Sequence, residues 1–295
     1  MPPKLNLIER LASRMGLAEA TSAKPPASPR HDVVPAVPPA TEAAPAAPMA
    51  RASGRRVELA FERLQGAGMI VPGSARTRLS EEFRLIKRPL LLKAFDAHEG
   101  AGRGNLIMVT SARPGEGKTF TAVNLAMSLV SEADLNVLLI DADVVRPSVM
   151  ATLGLSDDEA GLVEAVSGTV GLTDALVRCT NVPNLSILPS GRPISHVTEL
   201  LASRRMAEFM ADIANRYPDR VVIIDTPPVL VTSETSVLAL HVGQILMVVG
   251  ADVSGPKPVD AALKLVSSCP NVSLVLNRLA DRRRPGDFGA RTYGS

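Results

Sequence analysis

Leu106-Ile107-Met108-Val109-Thr110-Ser111-Ala112-Arg113-Pro114-Gly115-Glu116-Gly117-Lys118-Thr119 is the stretch of this 295-residue chain that decides its fold. Residues 106–109 form a short continuous apolar run, and residues 119–130 have helical length with apolar side chains at three- and four-residue spacing. The loop between them suits phosphate. Gly115 and Gly117 let backbone N–H groups turn inward, the helix start adds the positive end of its dipole, Lys118 can reach the β- and γ-phosphates, and Thr119 can ligate Mg²⁺. Arg113, Pro114, Glu116 and Phe120 complete the nucleotide-binding stretch, and Ala112 stands where such loops usually have their first glycine. Apolar runs return at 137–140, 185–188, 221–224, 245–249 and 272–276. Their lack of alternation predicts strands buried on both faces. With helix-length segments at 197–216 and 258–267 between them, the pattern predicts an α/β fold with a doubly wound, mostly parallel sheet. Ligands of such sheets bind beyond the carboxyl ends of the strands.

The second run ends in Asp141-Ala142-Asp143, two carboxylates that a period of two puts on one side of the chain. An unpaired buried carboxylate is costly. Beside a triphosphate and Mg²⁺ it becomes useful: one acid can hold the metal or its water, and the other can accept the proton of an attacking hydroxyl. Residues 221–224 lead into Asp225-Thr226-Pro227-Pro228, the form expected of a second metal-organising carboxylate. Three strand ends thus converge on one Mg-nucleotide site.

In combination these features resemble the bacterial tyrosine kinase family, the P-loop autokinases of polysaccharide synthesis and export, and within it the exosortase-associated tyrosine autokinase branch. The resemblance covers roughly residues 80–279. It rests on Glu81-Glu82-Phe83-Arg84-Leu85-Ile86-Lys87-Arg88-Pro89-Leu90, the loop through Thr119, Asp141-Ala142-Asp143-Val144-Val145-Arg146-Pro147, Asp225-Thr226-Pro227-Pro228 and Asn277-Arg278. It implies a P-loop NTPase fold of the partitioning-ATPase-like type and a protein-tyrosine autokinase that regulates exopolysaccharide assembly, with ATP and Mg²⁺ as cofactors. By the same match, Lys118, Asp141, Asp143 and Asp225 are catalytic, Thr119, Asp141 and Asp225 hold the metal, and Asn277 meets the adenine. Glu81, Arg84 and Lys87 match the family's E-x-x-R-x-x-R oligomerisation helix, with Lys in a place where its point charge cannot reproduce the fork of Arg. The resemblance also implies phosphorylation in trans between subunits, and activation by a separate membrane protein of the chain-length-determinant type. Related partitioning and division-site ATPases carry a signature Lys where this chain has Arg113. The alternative reading is an ATP-dependent dimerisation switch that phosphorylates no protein.

The family's C-terminal tyrosine cluster is missing. Of the two tyrosines in the chain, Tyr217 precedes a strand and reads as structural, which leaves Tyr293 as the candidate phosphoacceptor. The flanks divide by composition. Leu5, Ile8, Leu11 and Met15 recur at helical spacing, so 1–20 reads as an amphipathic helix, and 21–50 as a Pro/Ala-rich linker. Residues 51–103 read as a basic helical lead-in with eleven basic residues against six acidic ones, 104–280 as the P-loop kinase domain, and 281–295 as a flexible tail. The 32 Lys and Arg residues against 30 Asp and Glu give a formal charge of +2, with no general attraction for a polyanion. Arg282, Arg283 and Arg284 lack interleaved aromatics, so no nucleic acid partner is expected. Cys179 and Cys269 have neither a paired nor a metal-ligand spacing, which fits a reducing cytosol. Apolar runs fall short of the roughly 20 residues that span a bilayer. The expected location is therefore cytoplasmic, at the inner face of the cytoplasmic membrane through a partner.

Overall fold

The computed structural model describes residues 54–95, 103–156, 160–216, 220–251 and 253–279. The helix and linker expected over 1–50, the tail 281–295, Tyr217 and Tyr293 lie outside the described residues. The strands are β1 (Arg55–Val57), β2 (Leu106–Ser111), β3 (Asn136–Asp141), β4 (Val177–Cys179), β5 (Leu185–Leu188), β6 (Arg220–Asp225), β7 (Gln244–Gly250) and β8 (Val272–Asn277). The helices are α1 (Phe61–Gly66), α2 (Arg78–Ala94), α3 (Lys118–Leu129), α4 (Val149–Leu153), α5 (Leu162–Ser167), α6 (Leu172–Ala175), α7 (Val197–Leu201), α8 (Arg204–Arg216), α9 (Glu234–Leu238) and α10 (Pro256–Leu265).

The strands form one sheet in the order β1-β4-β5-β3-β6-β2-β7-β8, parallel at every pairing except β4 with β5. This is the doubly wound, mostly parallel sheet expected. Side chains alternate between two cores. Ile107, Val109, Val137, Leu139, Val221 and Ile223 face one core, which includes Val123 and Met127 of α3 and Phe83 and Leu90 of α2. Leu106, Met108, Leu138, Ile140, Val222 and Ile224 face the other, with Met206, Met210 and Ile213 of α8 and Ala262 of α10. Burial on both faces is why these runs show no alternation in sequence.

Four features depart from the expectations. The segment 51–103 contributes β1 to the edge of the sheet besides its two helices. The helix-length stretch 197–216 is two helices, because Ser203 ends the first and accepts the Met206 N–H at 3.2 Å to start the second. The 272–276 run is an edge strand whose Leu274 and Leu276 are 55% and 53% exposed, since no strand pairs beyond it among the described residues and α10 leaves an open cleft against it. Finally, Lys87 turns inward. Its side chain is buried, and Nζ donates to the Ser128 carbonyl at 2.6 Å and pairs with Glu132 at 2.7 Å. Glu81 and Arg84 remain half-exposed and pair with each other at 2.9 Å. The Lys87 ammonium is thus engaged within the chain, at a C-terminal carbonyl of α3 that favours a cation, while the residue still lines one cleft with Arg84 and Glu132.

Candidate functional site

The carboxyl ends of β2, β3 and β6 are held level by register, with Val109 opposite Asp225 and Asp141 opposite Asp225. At the end of β2 the chain enters the loop 112–117, where Gly115 and Gly117 adopt φ of +81° and +94°. A side chain at Gly117 would be strained by that backbone and would also overlap the Asn277 amide. Helix α3 begins at Lys118, so the loop's N–H groups and the helix dipole point at one spot.

Lys118 Nζ lies 2.8 Å from Asp143 Oδ2 and 3.9 Å from Asp225 Oδ2. Thr119 Oγ1 donates to Asp225 Oδ2 at 2.6 Å. Its single proton is thereby used, so in the 2.8 Å contact between Thr119 Oγ1 and Ser148 Oγ the serine is the donor. Asp141 plays a different part: Oδ1 accepts the Asp143 N–H at 3.1 Å, and Oδ2 accepts the N–H groups of Ser148 and Val149 at 2.9 Å each. It ties the β3 end to the start of α4. Sequence reading brings Lys118, Thr119, Asp143 and Asp225 together correctly, and it misses Ser148. An apolar segment opened by a small hydroxyl residue, five positions beyond the Asp143 motif, was the available signal.

Electrostatics follow from burial. Desolvation pushes Asp225 up to about 7 against the pull of Lys118 and the Thr119 hydroxyl, and Asp141 contributes to the rise. Desolvation likewise pushes Asp141 up to about 6, opposed by its three backbone N–H bonds. Burial alone would lower Lys118, but Asp225, Asp143 and Asp141 outweigh it and hold the ammonium above its ordinary value. Three carboxylates around one ammonium leave the site short of positive charge.

Among the described residues no group of three or more His, Cys, Asp and Glu side chains forms a metal cage. Magnesium does not need one, since it keeps several waters and takes one or two protein oxygens besides phosphate. The site fits it on this ground: Asp225 Oδ1 is buried without a hydrogen-bond partner, next to the Thr119 and Ser148 hydroxyls. Arg113, at the signature position of the partitioning ATPases, is exposed. Asn277 stands at the loop, its Nδ2 donating to the Glu116 carbonyl at 2.9 Å.

Comparison with known proteins agrees with this geometry. A family described as AAA domain matches residues 104–253. The tyrosine-protein kinase CpsD of Streptococcus pneumoniae is 33% identical over 192 residues, covering 64% of this chain and 79% of that protein. The tyrosine-protein kinase Wzc of Salmonella typhimurium is 29% identical over 203 residues, covering 69% of this chain. The chain spans only 27% of the length of Wzc. Among solved structures, the kinase domain of the Escherichia coli tyrosine kinase ETK matches with a TM-score of 0.61 at 26% identity, covering 80% of this chain and 99% of that one. The VpsO kinase domain matches with a TM-score of 0.55 at 31% identity, covering 69% of this chain and all of that one. With a P-loop nucleotide-binding domain over half its length and kinases of this kind as relatives, the chain belongs to the bacterial tyrosine-protein kinase family.

Proposed function

We propose that this chain is an ATP-dependent protein-tyrosine autokinase that regulates exopolysaccharide biosynthesis. The observation that carries the reading is the contact of Lys118 with Asp143 at 2.8 Å, inside a phosphate loop and beside the buried Asp225. Lys118 would move from the carboxylates to the β- and γ-phosphates, and Asp143, released from it, would accept the phenol proton. The tyrosine oxygen then bonds the γ-phosphorus, the bond to the β–γ bridging oxygen breaks, and ADP leaves with that electron pair. Such transfer needs positioning and charge neutralisation more than covalent help. Thr119 and Asp225 would hold Mg²⁺, with Asp141 ordering the adjoining turn, and the ion would neutralise charge on the phosphate oxygens. Because the Asn277 nitrogen is engaged, its Oδ1 is the end left to accept from the 6-amino group of adenine.

Tyr293 is the phosphoacceptor in this reading, and Glu81 and Arg84 are the subunit contact. The address at the membrane would come from a chain-length-determinant type partner; no described helix is long and apolar enough to cross a membrane. Incubation with Mg-ATP followed by phosphosite mass spectrometry tests the activity. Phosphotyrosine should appear at Tyr293 and vanish in Tyr293→Phe. A full signal in that variant places the acceptor elsewhere, and no phosphotyrosine with steady ADP release would favour the dimerisation switch.

A further inference from the structure

A fully buried carboxylate is an odd choice for a loop that receives a triphosphate, yet Glu116 is 0% exposed. Its Oε2 accepts the Arg113 N–H at 2.7 Å, within the loop, and its Oε1 accepts the Gly250 N–H at 3.0 Å, at the end of β7. Its carbonyl oxygen accepts Asn277 Nδ2 at 2.9 Å, at the end of β8. One residue thus ties the loop to the ends of two neighbouring strands, 134 and 161 positions further along the chain. The surroundings are shaped to this joint. A Cβ at Gly250 would press on the Val253 side chain at 2.9 Å, and one at Gly117 would overlap the Asn277 amide.

The chemistry explains why Glu occupies the position. An ionised carboxylate accepts N–H groups from two directions, whereas the Gln side chain offers one acceptor oxygen and would turn its own donors toward the second N–H. Both partners are backbone donors, and the Gly250 N–H, being buried, would be costly to leave unpaired. Only the nitrogen of the Asn277 amide can donate to a carbonyl, so the position of the Glu116 backbone also sets which way that amide faces.

We propose that Glu116 is a positioning residue that holds the phosphate loop in register with the ends of β7 and β8, so that the phosphate and base contacts of a nucleotide act as one site. The inference rests on the nucleotide-binding reading above. Without the carboxylate the backbone cradle, Lys118 and Thr119 still take phosphates, but the loop loses its tie to β7 and only the Glu116 main-chain carbonyl still holds Asn277, so the base side stands less firmly placed relative to them. Affinity for a bare phosphate chain then falls little, while ATP loses what its base adds.

Titration calorimetry of the full chain with Mg²⁺, using ATP and inorganic tripolyphosphate as probes, measures this directly for the parent, Glu116→Ala and Glu116→Gln. The preference for ATP over tripolyphosphate should shrink about tenfold in Glu116→Ala, the worth of one charge-assisted hydrogen bond. Glu116→Gln should shrink it less, since one acceptor remains. Equal weakening toward both probes, or no change, in a variant that melts as the parent does overturns the proposal. If Glu116→Ala fails to fold, Glu116→Gln decides: a narrowed preference supports the joint, and a parental one refutes it. A parent that binds neither probe overturns the functional reading itself, and this inference with it.

Discussion

Replacing Lys87 by Met separates two roles that its place in the oligomerisation pattern leaves undistinguished. Met keeps most of the apolar stem that packs beside α3 and removes only the ammonium. The loss is that of a charged hydrogen bond to the Ser128 carbonyl, made at 2.6 Å by a residue 6% exposed. Hydrogen bonds to charged groups contribute about 1.5–3 kcal/mol, and a cation at a helix C-terminus about 0.3–1 kcal/mol, much of it the same interaction here. The pair with Glu132 adds little, because that carboxylate is 45% exposed. We expect a loss of about 2–3 kcal/mol, which for a domain of this size lowers Tm by about 4–12 °C. Thermal and urea unfolding followed by circular dichroism read this out, and mass photometry of the same samples reads assembly. Arg84→Ala, which removes an exposed partner of Glu81, should leave Tm within about 2 °C. If Lys87→Met melts within about 1 °C of the parent while its oligomers dissociate, the inward contact is worth little and Lys87 acts between subunits.

Lys118→Ala should abolish Mg-ATP binding in titration calorimetry while the fold persists, because the loop cradle survives without its cation; unchanged affinity would refute the assignment. The nucleotide-free protein should lose stability as pH rises. Asp225 and Asp141 have folded values of about 7 and about 6, above their ordinary value of 3.8, so the folded state holds these protons more tightly. The stability this provides is present in full below about pH 4 and lost as pH rises through 7. Asp225→Asn should therefore gain Tm over the parent progressively across that window, with the gap level above it; a constant gap from pH 4.5 to 8 would show that Asp225 does not titrate there. Purified protein should float poorly with bare anionic liposomes, since Lys4, Arg10 and Arg14 near the N-terminus are offset by Glu9 and Glu19. Strong flotation without any partner would make the N-terminal segment its own anchor.

The residues of 106–119 were enough to determine a strand, a phosphate loop and a helix, because each is a local matter of apolar spacing, glycine backbone freedom and helix entry. The longer strands were legible for the same reason: burial on both faces leaves an unbroken apolar run. Segments 55–57 and 177–179 were not, since three residues containing Arg56 and Arg178 carry no period. The apolar run of β8 was misleading, because Leu274 and Leu276 read as core but stand at an edge where the sheet stops. Only the tertiary structure decided what the polar side chains do at a distance. Lys87 reaches a carbonyl 41 positions away, and Glu116 an N–H 134 positions away. Asp141, Asp143 and Asp225 look alike in sequence, but the turn into α4 takes both oxygens of the first, Lys118 takes the second, and the third keeps an unpaired oxygen. Local chemistry proposes which groups can act; the fold assigns their partners, because a hydrogen bond depends on which atoms packing brings within about 3 Å, and sequence spacing does not contain that distance.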